Sequence, residues 1–316
     1  MKPETYMVID GRHDHSFRIP RPDLSVTLGV PNACNACHAD RKAAWAAAEI
    51  RKRYPEPKPG FQGYAEAFAA ADRGDPSAAI ALAQVAANLD EAAIARASAI
   101  ERLARAPSET TILAAEAGLD DPSPLVRQAS AAAYDVLPPQ QRKAVIPLLI
   151  DPVRVVRMQA ARTLAPLADD AVGEEHVPAL RAAGEEYVAA ERFNADRPEN
   201  RVNLGGYYAD KGETVAAEAE YEAALKLDPR FGPAWANLAD LRRLQGREAD
   251  AEATLRKGIA QVPGVAALHH SLGLALVRQQ RYAEALAELE RAVKLEPGNA
   301  RYAYVYEVAR RDLAQR

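Results

Sequence analysis

Alanine-rich apolar runs interrupted by charged positions fill most of the chain, and the strict apolar-polar alternation that marks half-buried strands hardly appears. The pattern predicts helices almost throughout, since alanine is the strongest helix former and strand-favouring β-branched and aromatic residues are scarce. Residues 1–33 are the exception: Pro3, Pro20, Pro22 and Pro31 and a lack of helical periodicity predict an irregular loop. A helix is expected over 39–53, with His38 at its N-terminal end. It should stop before Tyr54, because Pro55, Pro57, Pro59 and Gly60 make a short stiff linker. Beyond it the apolar pattern comes in helix pairs, and residues 173–196 read as a charged connector helix.

The pairs follow two periods. Between 61 and 172, Asp90 with Arg96, Asp121 with Arg127 and Asp151 with Arg157 recur at near-equal intervals, a spacing in the range of helical repeats. Each arginine leads into an alanine-rich helix, and Asp121-Pro122 and Asp151-Pro152 read as turns that start it. This register resembles short HEAT-like repeats, in which Asp and Arg form a ladder between neighbouring units. From 198 the period becomes that of tetratricopeptide (TPR) repeats: Leu204, Leu238 and Leu272, Ala217, Ala251 and Ala285, and Pro229, Pro263 and Pro297 all obey it. Three repeats are predicted over 198–299, with a capping helix over 301–316. The expected fold is therefore all-α: a short irregular N-terminal segment (1–60), HEAT-like pairs (61–172), then connector, TPR repeats and cap (173–316), forming an α-solenoid.

Charge changes little in this picture. With 40 Lys and Arg against 44 Asp and Glu, the chain offers no case for nucleic acid or a membrane surface. Residues 1–60 are mildly basic, 10 Lys and Arg against 7 Asp and Glu. No apolar run is long enough to cross a bilayer, and no signal peptide opens the chain.

The two cysteines change it more. Both fall in Cys34-Asn35-Ala36-Cys37-His38, the C-x-x-C-H attachment signature of a c-type haem. Two intervening residues let one tight turn present both thiols to the vinyl groups along a porphyrin edge, and His38 then lies beneath the iron as proximal ligand. A second imidazole would complete a bis-histidine site. His15 is the expected distal ligand and His13 the alternative, both near the motif, with the Met7 thioether as their rival. Asp14 between them can instead orient one ring in a polar turn. Arg12, Arg18 and Arg21 are candidate partners for the haem propionates, and Trp45 either covers a haem edge or is simple core. The competing reading of the same residues is a tetrahedral zinc site, with Cys34 and Cys37 joined by two of His13, His15 and His38. His176 reads as a surface histidine, and His269, at the repeat position of Trp235 and Arg201, as structural.

The run over 6–25, with Gly11-Arg12-His13-Asp14-His15 inside it, and then Gly29-Val30-Pro31-Asn32-Ala33 before the motif, resembles the end of the haem region in bacterial multihaem c-type cytochromes with appended TPR repeats. The resemblance covers about the first 45 residues. It implies periplasmic electron transfer, with a histidine of the His13-Asp14-His15 triplet ligating this haem or a neighbouring one. Such relatives carry further C-x-x-C-H motifs upstream, so this chain with its single motif resembles the C-terminal part of a longer cytochrome. Because haem is attached outside the bacterial cytoplasm, an export signal is expected on the precursor.

Three functions follow as expectations. The first is an electron carrier with one covalent haem c, whose solenoid docks a redox protein or other haem domains and whose TPR groove takes a peptide or helix. The second is a non-redox interaction module with structural zinc. The third, an enzyme, has least support, since no nucleophile elbow, phosphate loop or metalloprotease helix is present. It would require an open distal side on the haem, with His15 as acid or base.

Overall fold

The computed structural model describes residues 3–6, 10–13, 20–56 and 62–314. It divides into two compact units, Met1–Pro138 and Pro139–Arg316. Both are helical where they carry the repeats.

The first unit departs from the sequence expectation at its start. Strands β1 (Pro3–Tyr6) and β2 (Asp10–His13) pair antiparallel, Pro3 opposite His13 and Tyr6 opposite Asp10, where the pattern predicts a loop. Helix α1 (Pro22–Leu28) follows, also within the predicted loop. The departure has a physical reason. Pro22 occupies the first helical turn, where its fixed φ favours a helix and its missing N–H costs nothing. Asp23 adds negative charge to the same turn, and Gly29, at φ 73°, closes the other end in the left-handed conformation.

The one-turn helix α2 (Ala33–Cys37) carries the cysteines, and α3 (Ala43–Arg53) ends in Arg51, Lys52 and Arg53, cations suited to a helix C-terminus. Helix α1 packs on α3, burying Leu24 and Ala46.

Stacked pairs follow: α4 (Ala65–Asp72), α5 (Ala78–Ala87), α6 (Ala93–Ala104), α7 (Glu109–Gly118) and α8 (Pro124–Ala133). Helix α5 meets α7 and α6 meets α8, so each pair buries its face on the next. A capping box opens α7, Ser108 and Thr111 satisfying each other's backbone N–H groups. The Asp-Arg register has a structural basis. Arg96 forms a buried ion pair with Asp121 of the next pair, and Arg127 donates to the Asp121 carbonyl at 2.7 Å.

In the second unit the same device recurs at Asp151, whose carboxylate accepts from Val153 N–H at 2.8 Å while Arg157 donates to its carbonyl at 2.8 Å. The segment before it, Pro139–Ile150, is a 3-10 helix containing Pro147, which cannot donate to an α-helical ladder. Helices α9 (Arg154–Leu164), α10 (Asp169–Val172) and α11 (Val177–Phe193) lead to the TPR-like array.

That array is regular. Helices α12 (Pro198–Asp210), α14 (Gly232–Leu244), α16 (Ala266–Arg278) and α18 (Ala300–Ala314) begin at one constant spacing, as do α13 (Thr214–Leu227), α15 (Glu248–Gln261) and α17 (Tyr282–Leu295), and it is the spacing of the sequence register. Gly205 and Gly273, one register position in the first and third repeats, face Tyr221 and Leu289 so closely that a Cβ would meet side-chain carbons at 2.5 and 2.6 Å. Ala239 fills the position in the second repeat, within the same cluster as Leu255. Arg247 and Arg281 bind Glu218 and Glu252 of the preceding repeat, each at 2.8 Å, a two-rung ladder set by the same period.

Candidate functional site

The motif sits in a short turn held at both ends. Asn32 caps α2, its side-chain oxygen accepting from Asn35 N–H at 3.0 Å. The His38 N–H closes the turn on the Cys34 carbonyl at 2.9 Å. Cys34 and Cys37 are three residues apart on this single turn, hence on one face. Both are free thiols, Cys34 half-buried and Cys37 exposed.

His38 is exposed, its ring 5.0 Å from that of Trp45 on α3 and inclined at 60°. Trp45 is half-buried, with the Arg41 guanidinium 5.7 Å from its ring centroid. So Trp45 is a wall for His38 as well as part of the packing of α3. Val26 and Val30 expose apolar surface within the eight residues before Cys34.

This donor set fits a c-type haem: two reachable thiols on one face, an accessible imidazole directly after them, and the Trp45 ring against that imidazole. The rest of the predicted ligand set is placed only in part. His13 ends β2, with its side chain outside the described residues, and His15 and Met7 lie outside them altogether, as does Arg18. Arg12 lies on β2, its side chain likewise undescribed. Arg21 is engaged by the Asp23 carboxylate at 2.7 Å, which holds that carboxyl below its usual range and makes the arginine part of the α1 N-terminus. Among the described residues no three His, Cys, Asp or Glu side chains are grouped to hold a metal ion. The zinc alternative therefore turns on His13 and His15.

The remaining histidines are in the second unit. His176 is partly exposed beside Glu175. His269 does occupy a repeat position: Arg201, Trp235 and His269 each reach the carbonyl six residues earlier, of Ala195, Pro229 and Pro263, at 2.9, 2.9 and 3.1 Å. Arg201 and His269 also bind Glu220 and Glu288, both nineteen residues ahead, at 2.8 and 2.7 Å. The position ties each repeat to its predecessor.

His270 is different, being buried with neither ring nitrogen hydrogen-bonded and its ring 4.6 Å from that of Tyr302. Burial, with the Arg301 charge in addition, pushes its imidazole below the usual value of 6.5. As pH falls below about 6.5 the unfolded chain takes a proton that the folded one resists, so the folded state loses up to about 1.4 kcal/mol per pH unit. Denaturant midpoints between pH 7 and 5 should fall further for the native protein than for His270→Leu; equal slopes would contradict this.

A second surface feature is a groove of about 740 Å³ along α11. Leu180, Gly184, Val188 and Tyr207 line it, with Arg181, Arg192, Lys211, Asp169 and Glu185 also on its walls. No sequence motif marks it, because residues of α11 meet those of α12 only once the connector is packed. The spacing of Leu180, Gly184 and Val188 was the available signal.

One tetratricopeptide family model matches residues 266–299 and a second matches 208–276. The chain carries tetratricopeptide repeats. These are protein-interaction modules, and here the matched residues coincide with the repeating helix register. No curated protein matches the chain. Solved structures similar to it include the first TPR of Spaghetti (RPAP3) bound to HSP90 peptide SRMEEVD, 22% identical over 38% of this chain and 95% of that one, TM-score 0.35. The thermophilic TPR protein TTC0263 of Thermus thermophilus is 19% identical over 64% and 98% of the two chains, TM-score 0.38. The APC/C hetero-tetramer Cut9-Hcn1 is 14% identical over 84% and 59%, TM-score 0.35. No helix among the described residues is long and apolar enough to cross a membrane.

Proposed function

We propose that this chain is a haem-bearing part of a multihaem c-type cytochrome, an electron carrier whose helical repeats select its redox partner. The observation that carries the reading is the turn from Cys34 to His38, with free thiols on one face and an accessible imidazole at its end. Cys34 and Cys37 would hold the haem by adding their S–H bonds across its two vinyl groups, sulfur to one carbon and hydrogen to the other, which needs no oxidant. The bound haem supplies a one-electron iron couple.

The protein's part is to hold and tune. His38 would hold the iron, with Trp45 restricting its ring, and His15, or His13 in its place, would supply the second imidazole. The 61–172 pairs act as HEAT-like spacers and the TPR array offers a groove to a peptide or helix of the partner. The setting is the periplasm, where such haems are attached.

The test is visible absorbance of protein made in a host competent for cytochrome c maturation. A Soret band that survives acid-acetone extraction is the expected result, and colourless protein containing zinc would sink the proposal. Replacing His15 and His13 singly by alanine should convert low-spin iron to high-spin in one of the two. Unchanged spectra in both would reject the distal assignment.

A further inference from the structure

Two asparagines beside the cysteines do more than fill the spacing of the motif. The Asn32 amide nitrogen donates to Ser25 Oγ on α1 at 2.8 Å and to Asn35 Oδ1 at 2.9 Å, while its oxygen caps α2. Asn35, between the two cysteines, passes the connection on. Its amide nitrogen donates to the Arg41 carbonyl at 2.7 Å and to the His38 carbonyl at 3.3 Å. Arg41 N–H in turn donates to the His38 carbonyl at 3.0 Å. One relay of two side chains thus joins α1, the cysteine turn and the chain entering α3, where Trp45 stands against His38.

Each bond in the relay uses a donor or acceptor with one assignment only. Asn32 must present its oxygen to the backbone N–H of Asn35, which leaves its nitrogen for Asn35 Oδ1, and that leaves the Asn35 nitrogen for the two carbonyls. Both side-chain amides are satisfied, and the carbonyls that Asn35 holds are that of His38 itself, which would ligate iron, and that of Arg41 three residues later. The thiols and the His38 imidazole take no part in these bonds, so the turn is held by its asparagines together with the His38 N–H bond to the Cys34 carbonyl.

We propose that Asn35, seconded by Asn32, is a positioning residue: the relay preforms the turn from Cys34 to His38 and fixes the His38 backbone, and through it the ring that stands against Trp45, before and after haem is attached. The inference rests on the haem reading for its purpose but not for its geometry. Asparagine is required at 35 because it must both accept from Asn32 and donate to two carbonyls. Aspartate accepts but cannot donate, and alanine does neither.

The experiment therefore has two arms. In the haem-free protein, amide exchange of Cys37 and His38 is compared between the native chain, Asn35→Asp and Asn35→Ala; both variants should exchange about tenfold faster there, with exchange in the TPR repeats unchanged. Native rates in both variants would overturn the proposal, even if no haem is ever attached. In protein made with the maturation machinery, both variants should shift the midpoint potential and yield a larger fraction attached through a single thioether, read as a displaced α band because an unreacted vinyl group stays conjugated. Native potential and native attachment in both would overturn the positioning role while leaving the electron-transfer reading standing. Native protein without covalent haem would sink that reading alone.

Discussion

Replacing Arg96 by methionine should destabilise the first unit by about 3–5 kcal/mol, the cost of leaving a buried charge without its partner. Arg96 is 4% exposed and Asp121 8%, so neither is reached by enough water to relieve the loss. Asp121 has a second duty, since its Oδ1 accepts from Ser123 N–H at 2.8 Å and starts α8. A lone carboxylate would therefore stay in place, desolvated and uncompensated. Arg96→Met combined with Asp121→Asn should recover much of the loss, because asparagine keeps an acceptor for Ser123 and carries no charge. Amide exchange across residues 93–133 measures both variants. A single variant costing under about 1 kcal/mol would mean that the pair behaves as a surface bridge.

The repeats were legible because their signals are local and repeated. A leucine and an alanine recur at the tetratricopeptide period inside the helices and a proline just beyond the second helix of each pair, and the helices do begin at that spacing. The same register identifies His269 as structural, in agreement with its bond to the Pro263 carbonyl. The Asp-Arg pattern was legible as a ladder but not in its connectivity. Within the first unit Arg96 reaches the aspartate of the next pair, whereas Arg127 donates to the backbone carbonyl of the aspartate six residues before it.

The N-terminal stretch was illegible for the opposite reason. Pro22 lies at a helix start and Pro3 at the first position of a short ribbon, and proline count alone does not distinguish these from a loop. At the motif, residue types at fixed spacing carry the haem proposal. The asparagine relay was not legible, because Ser25, Asn32, Asn35 and Arg41 are ordinary polar residues until the turn folds back on α1 and α3. His270 shows the same limit: next to His269 in sequence, it has no bonded partner where His269 has two.

Leu272→Ala should cost the second unit about 4–5 kcal/mol, the upper end for a leucine truncation. The range at fixed chemistry reflects how far the surroundings collapse into the vacated space. Leu272 is 1% exposed and lies in a cluster with Ala239, Ala275 and Ala285, whose methyl groups have no rotamers with which to follow. Its other buried neighbours there, Leu255, Leu268 and Leu276, are themselves 0–3% exposed and so already committed. The close approach of α16 to α17 at Gly273 prevents those helices from moving together further. Leu241→Ala, 4% exposed in the smaller cluster of Ala217, Tyr221 and Leu238, should cost less, since fewer fully buried neighbours surround it and the Tyr221 ring can lean into the gap. Chemical denaturation of the two variants gives the comparison. Equal losses would show that helix spacing, not the mobility of neighbouring side chains, sets the cost of a cavity in this array.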